Sequence, residues 1–305
     1  DLPDIPQTAG PGLTDDALLD KIEADTARFF FSEDGTIGPG FVRDTSETDY
    51  SSIAATGFGL ASLAVIAQRA GTSANWDDIS YDMARERADQ ILGRLLTVQH
   101  RQNTDEERAR HGIAGFFYHF MDAEGERAVG CEVSTVDTAI LIAGALTAGE
   151  YFGDEVKAKA DYLYDQVDWK FFIDEDTCTY HTAWRPDPAR GFTQPAGGGF
   201  ISDNTYNKPT DEVLLISLLA LGSDLEDPLL RKCYFGYPRD EKTYAALTGT
   251  NKGKEYTVVN SYFGSLFTYL YAHCFFDFES LGADKTYFAE DAPHPVSIDW
   301  WDNSV

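Results

Sequence analysis

The 305-residue chain carries 51 Asp and Glu against 24 Lys and Arg, a formal net charge of -27. Such a surface repels polyanions, which excludes a nucleic-acid partner and an anionic membrane surface and suits a protein kept solvated in salt or outside the cell. Hydrophobic residues at 43% and aromatics at 13% supply a continuous core and exclude a disordered chain.

In chain order, two kinds of helical segment alternate. Residues 15–31, 77–99 and 154–167 are amphipathic and charged, as an outer, solvent-facing layer requires. Residues 49–70, 133–149, 211–221 and 261–276 are apolar or small almost all round, and a helix without a polar face must be surrounded by protein. Inner helices wrapped by outer ones predict an all-α fold. The expected form is an (α/α)6 toroid of helical hairpins with short β-hairpin loops at one mouth, in a single domain spanning 1–305. About eight or nine helices are legible, against the twelve of a complete toroid. Strand signals are local. Residues 115–120 ahead of Asp122-Ala123-Glu124-Gly125 read as a hairpin, and residues 171–184 as another. The Pro/Gly-rich stretch 186–199 reads as a loop, and residues 252–256 interrupt a helical pattern. Gly57 and Gly59, inside a helical pattern, are expected to let a neighbouring element approach closely.

Several chemistries are excluded by what is missing. The sequence has no GxSxG elbow, Walker loop, dinucleotide fingerprint or HExxH, so no cofactor and no metal are expected. Cys131, Cys178, Cys233 and Cys274 form no CxxC pair and read mostly as buried structural thiols. Asp174-Glu175-Asp176 reads as a solvated acidic turn rather than a calcium site. No apolar run is long enough to span a bilayer, and the first residues, Asp1-Leu2-Pro3-Asp4-Ile5-Pro6, carry no signal-peptide pattern. The expectation is a secreted or periplasmic monomer whose signal has been removed, with no membrane insertion.

The inner segments share one feature: carboxylates in or just before the first turn, namely Asp49, Glu132 with Asp137, and Asp211 with Glu212. Parallel inner helices would gather these ends at one mouth, as glycoside cleavage requires. There one carboxylic acid protonates the leaving oxygen, and a second carboxylate activates water or attacks the anomeric carbon. Capping competes with this reading, because Asp and Glu favour helix N-termini for their free N–H groups. Glu132 and Ser134 compete for one cap. Asp137 and Glu212 lead into apolar runs, where an unpaired charge is costly and a raised pKa suits a general acid. Trp184 and Tyr206 flank Gly197-Gly198-Gly199 and suit sugar faces, while Phe116, Phe117, Trp169 and Tyr180 read as core. Arg43 and His119 suit sugar hydroxyls or the orientation of a carboxylate.

Taken together, Ser51-Ser52-Ile53-Ala54-Ala55-Thr56-Gly57-Phe58-Gly59-Leu60, Gly115-Phe116-Phe117-Tyr118-His119-Phe120, Glu132-Val133-Ser134-Thr135-Val136-Asp137 and Asp211-Glu212-Val213-Leu214-Leu215 resemble the glucoamylase-like domain family. Leu218-Leu219-Ala220-Leu221-Gly222-Ser223 and Leu266-Phe267-Thr268, with His273 and Asp277, continue the family's order, and the likeness runs from about residue 18 to 278. The family is similar to endo-β-1,2-glucanases and to the cyclisation domains of cyclic β-1,2-glucan synthases, which share the (α/α)6 fold. The resemblance implies a β-1,2-glucan or sophoro-oligosaccharide substrate, with Asp137 and Glu212 at positions of essential carboxylates. Two departures stand out. The usual Tyr-Asn-Glu is replaced by Thr210-Asp211-Glu212, with Tyr206-Asn207 upstream, and a common Pro-Thr-His-Pro is replaced by the stretch ending Asp227-Pro228.

The sequence reading is thus a glycoside hydrolase acting on a glucan or oligosaccharide. Asp137 is the expected acid, Glu212 the base or nucleophile, and Glu132 tunes or replaces one of them. Arg43, Asp44, Tyr118, His119, Trp184, Tyr206, Asp211 and His273 form the expected substrate-binding set. The alternatives are a polysaccharide lyase or unsaturated-uronyl hydrolase on a similar toroid, which would want basic residues in its cleft, and a non-catalytic glycan-binding protein.

Overall fold

The computed structural model describes residues 13–187, 198–201, 205–245, 255–261, 265–285 and 291–304. The helices are α1 (Asp15–Phe29), α2 (Ile53–Arg69), α3 (Tyr81–Gln99), α4 (Asp105–His111), α5 (Thr135–Phe152), α6 (Asp154–Asp165), α7 (Asp211–Ser223), α8 (Pro228–Tyr234), α9 (Phe278–Leu281) and α10 (Trp300–Ser304). Their starts are set by hydroxyl caps. Thr14, Ser52, Ser80, Thr104, Ser134 and Thr210 each accept a backbone N–H two or three positions into the helix that follows.

Two layers result. In α5, 12 of 18 residues are buried, whereas the amphipathic α6 buries three of 12. Helices α2, α5 and α7 therefore form the inner layer, with α5 packed between the other two and the outer α3 and α6 behind them. The α2–α5 contact is backbone against backbone. A Cβ on Gly57 would lie 2.4 Å from the Ile140 carbonyl oxygen, and one on Gly144 would lie 1.9 Å from the Gly57 carbonyl oxygen. Since neither backbone can retreat without opening the core, Gly144→Ala is expected to destabilise the protein by about 3 kcal/mol. A denaturant midpoint unchanged from wild type would contradict this contact.

The amphipathic segments fold as expected, as do the first three apolar ones, with two differences. Residue Asp49 lies outside α2: Ser52 caps the helix and the Asp49 side chain is fully exposed. Residues 261–276 are not one helix. Among those described, only 3-10 turns form, at Leu266–Tyr269 and Ala272–Cys274. This stretch is rich in Phe and Tyr, which are middling helix formers. It is also not enclosed, since Leu266 is 75% exposed. Among the described residues, six helices reach 12 residues or more, fewer than the twelve helices of a full toroid.

Short strands knit the loops at the N-terminal ends of the inner helices. Ser51–Ser52, just before α2, pairs with Phe120–Met121, whose chain turns back through Asp122 to Gly125. Val133–Ser134, just before α5, pairs with Ala183–Arg185, which also pairs with Gly199–Phe200. Ile173–Asp174 pairs with Thr179–Tyr180 as a hairpin, so both expected hairpin regions contain paired strands. Its acidic turn is closed by the Asp174 carboxylate, which accepts the Asp176 N–H at 3.0 Å. A further hairpin, Glu241–Ala245 with Glu255–Val259, lies where the sequence showed only an interrupted helical pattern. Cys131, Cys178 and Cys233 are buried free thiols and Cys274 is exposed. Among the described residues, no helix is long and apolar enough to cross a membrane.

Candidate active site

The strand pairings bring the heads of α2, α5 and α7 to one rim. The His119 carbonyl accepts the first N–H of α2, from Ile53 at 3.1 Å, and the His119 N–H donates to the Glu132 carbonyl at 2.9 Å. His119 is thereby fixed between the starts of α2 and α5. On the other side of α5, the Thr135 hydroxyl donates to the His181 carbonyl at 2.7 Å. His181 is bridged to Thr205, and the Tyr206 N–H donates to the Tyr180 carbonyl at 2.8 Å. That chain of contacts delivers Tyr206 to Glu212 on the first turn of α7.

The capping alternative fails for each carboxylate in question. Ser134 caps α5 by accepting the Asp137 N–H at 3.3 Å, and Thr210 caps α7 by accepting the Val213 N–H at 3.3 Å. Glu132, Asp137, Asp211 and Glu212 are thus free of that duty and must be explained by what their carboxylates touch.

Glu132 accepts from His119 Nδ1 at 3.0 Å and faces the Arg185 guanidinium at 3.3 Å. The hydrogen bond to His119 is the main cause holding Glu132 below the usual carboxylate range. His119 Nδ1 also lies 3.6 Å from Asp137. Burial disfavours the imidazolium, but the Glu132 hydrogen bond and the charges of Asp137 and Glu132 outweigh it and raise the His119 pKa. The imidazole ring is further held flat on Phe120, with centroids 4.0 Å apart.

The charge of Asp137 reaches Glu212. The Asp137 side chain is 14% exposed, and burial raises its pKa against the opposing pull of His119. Burial also raises Glu212, the Tyr206 hydroxyl that hydrogen-bonds to it pulls the other way, and the charge of Asp137 pushes it higher still. Tyr206 itself is buried, and its pKa is lifted far beyond neutrality by burial, so it remains a hydroxyl donor. Tyr271 adjoins both carboxylates, whose charges raise its pKa after burial. Its ring lies 6.0 Å from Phe58 of α2 and 5.3 Å from Phe267. Sequence reasoning missed Tyr271 and Arg185. The signal at Tyr271 was hidden in a run read as an inner helix, and Arg185 reaches Glu132 only through the pairing of Ala183–Arg185 with Val133–Ser134.

The other expected contacts divide. Asp44 is exposed, and its charge reaches both His119 and Asp137, so it borders the site. Arg43 is turned to the Thr48 carbonyl and to Asp49 at 3.9 Å. Trp184 is buried within its three-stranded sheet. Tyr118 is 0% exposed, and its hydroxyl donates to the Arg108 carbonyl at 2.8 Å, so it is a core residue with nothing to offer a sugar. Asp211 is buried against the half-buried His273 and points away from Glu212, because consecutive helix residues point about 100° apart. Among the described residues, no cluster of three or more His, Cys, Asp or Glu is placed to hold a metal ion.

No protein-family model matches the sequence, and no curated protein is detectably similar to it. Solved structures are similar to it in three dimensions. An endo-β-1,2-glucanase from Chitinophaga pinensis, solved with sophorotriose and glucose, superposes with a TM-score of 0.66 at 18% identity over 96% of this chain and 65% of its own. A β-1,2-glucanase from Parabacteroides distasonis gives 0.63 at 19% identity over 96% of this chain and 40% of its own. An endo-β-1,2-glucanase from Talaromyces funiculosus, in complex with sophorose, gives 0.56 at 14% identity over 83% of this chain and 56% of its own. The chain therefore spans less than two-thirds of the length of these proteins. It has the helical fold that the endo-β-1,2-glucanases share.

Proposed function

We propose that the protein is a glycoside hydrolase that cleaves β-1,2-glucan, with Asp137 and Glu212 as its acid/base pair. The observation that carries this reading is the pair of half-buried carboxylates, Asp137 and Glu212, at the heads of two inner helices, with the charge of one reaching the other, in a fold shared with β-1,2-glucanases. A pair of carboxyl groups, one to protonate the leaving oxygen and one to activate water or attack carbon, is what glycosidic cleavage needs.

Their surroundings allot the roles. Asp137 has a cationic neighbour, His119 at 3.6 Å, and an opposite charge at that distance favours the ionised form. Glu212 has the neutral Tyr206 hydroxyl as its hydrogen-bond partner among the described residues, and burial and the Asp137 charge drive its proton affinity up. Glu212 is therefore the group that holds a proton for the leaving oxygen, and Asp137 the carboxylate that activates water or attacks the anomeric carbon. This reverses the order expected from sequence, where the apolar helix start marked Asp137 as the acid. Glu132 takes the tuning role: it keeps His119 charged and so helps to keep Asp137 ionised.

The pH profile follows. Activity needs Asp137 ionised, so it falls on the acid side through a pKa raised above the ordinary 3.8. It also needs Glu212 protonated, so it falls on the alkaline side through a pKa raised above the ordinary 4.5. The bell in kcat/KM is thus expected on the acidic side of neutrality. A profile that rises monotonically through neutral pH would refute the assignment.

The substrate class is tested by incubating the protein with linear β-glucans of single linkage and with a polyuronate, and separating the products by size. Release of oligosaccharides from β-1,2-glucan in preference to the other linkages is the expected result. Unsaturated products from the polyuronate would establish a lyase instead.

A further inference from the structure

We propose that Asp211 and His273 are positioning residues for Glu212, coupling the first turn of α7 to the C-terminal helix α10. The inference rests on the reading of Glu212 as a member of the reacting pair.

Asp211 and Glu212 are adjacent at the start of α7, so fixing one carboxylate fixes the backbone that aims the other. Asp211 is 5% exposed, and a buried carboxylate is costly unless its lone pairs are satisfied. Thr210 already caps α7, so Asp211 has no capping work. Its carboxylate is held by His273 Nδ1 at 3.1 Å and by the Ala272 N–H. His273 is held in turn by its other nitrogen, with Nε2 lying 3.2 Å from the Trp300 carbonyl and 3.0 Å from Ser304 Oγ, both on α10. The ring also packs on Phe278, with centroids 4.5 Å apart, leaving it little rotational freedom. A chain of hydrogen bonds therefore runs from α10 through His273 to the residue beside Glu212, while Glu212 accepts from Tyr206 and feels the charge of Asp137. A reacting carboxyl displaced by about 1 Å can lose on the order of 100-fold in rate, so a second anchor beside Glu212 has a catalytic consequence.

Two substitutions of His273 separate the links. In His273→Asn the amide nitrogen falls near the place of Nδ1 and still donates to Asp211. In His273→Gln it falls near the place of Nε2, reaching α10 but not Asp211. On linear β-1,2-glucan, His273→Gln and His273→Ala are expected to lower kcat about 10- to 100-fold with KM within about twofold, while His273→Asn, which keeps the Asp211 link but loses the anchor on α10, falls between them and wild type. All are compared well below their melting temperatures. Unchanged kcat in His273→Ala would overturn the proposal. So would equal losses in the Asn and Gln variants, or a rise in KM with kcat preserved, which would mark a direct sugar contact. Glu212→Gln, run alongside, separates the two levels. If it stays active, the reading of Glu212 fails. If it is inactive while the His273 variants match wild type, only the positioning role fails.

Discussion

Glu212→Gln is expected to lower kcat on linear β-1,2-glucan by about 10²–10⁴-fold, the range that a positioned proton donor contributes. Glutamine keeps the length of the side chain and can still accept from the Tyr206 hydroxyl, so neither packing nor the rim should change. What it removes is the proton for the leaving oxygen. A β-glucoside of a nitrophenol leaves as a stabilised anion and needs no such proton. On such a substrate the same variant should lose about tenfold or less. The alkaline limb of the pH profile, set by Glu212 in the wild type, should vanish with it. Equal losses on both substrates would show that Glu212 is not the acid.

Asp137→Asn is expected to cost a similar 10²–10⁴-fold, and to cost it whatever the leaving group, because the group that activates water or attacks carbon is needed in every turnover. Two side effects identify the mechanism. Asp137 raises the pKa of both its neighbours, so His119 and Glu212 should each titrate at lower pH in the variant. Stability moves the other way from activity. Burial raises the folded-state pKa of Asp137 above its unfolded value, so the ionised group costs stability at pH above both. A neutral Asn of the same shape should therefore leave the melting temperature equal or higher near neutral pH. An inactive variant that also melts well below wild type would point to a structural role for Asp137.

The inner layer was legible where one residue type after another pointed the same way. In 133–149 the absence of a polar face marked a buried helix, and α5 is buried on most of its surface. Gly57 inside α2 signalled a close approach, and α5 is what approaches. The site was half legible. Asp137 and Glu212 stood out as charges leading into apolar runs, and the charge of Asp137 reaches Glu212. The competition with capping could not be resolved from sequence, because Ser134 and Thr210 are as good caps as the acids beside them. Only their hydrogen bonds settle it.

What stayed hidden depends on long-range pairing. His119 reaches Glu132 and Asp137 because its backbone, just ahead of the strand Phe120–Met121, is hydrogen-bonded to the starts of both α2 and α5, a register that no local pattern encodes. Asp211 and His273 were both recognised as notable, but their partnership spans 62 residues and turned two expected sugar contacts into an internal pair. Tyr118 failed for a related reason: an aromatic with a polar tip suits a sugar face and a core equally, and the Arg108 carbonyl takes its hydroxyl.

The proposed function is hydrolysis of β-1,2-glucan by Asp137 and Glu212 acting together. Its most direct test is the release of reducing ends from linear β-1,2-glucan by wild type, Glu212→Gln and Asp137→Asn, each first shown to be folded by circular dichroism. The expected result is steady release of β-1,2-linked oligosaccharides by the wild type and almost none by either variant. A wild type that releases nothing, or a variant that keeps pace with it, would contradict the claim.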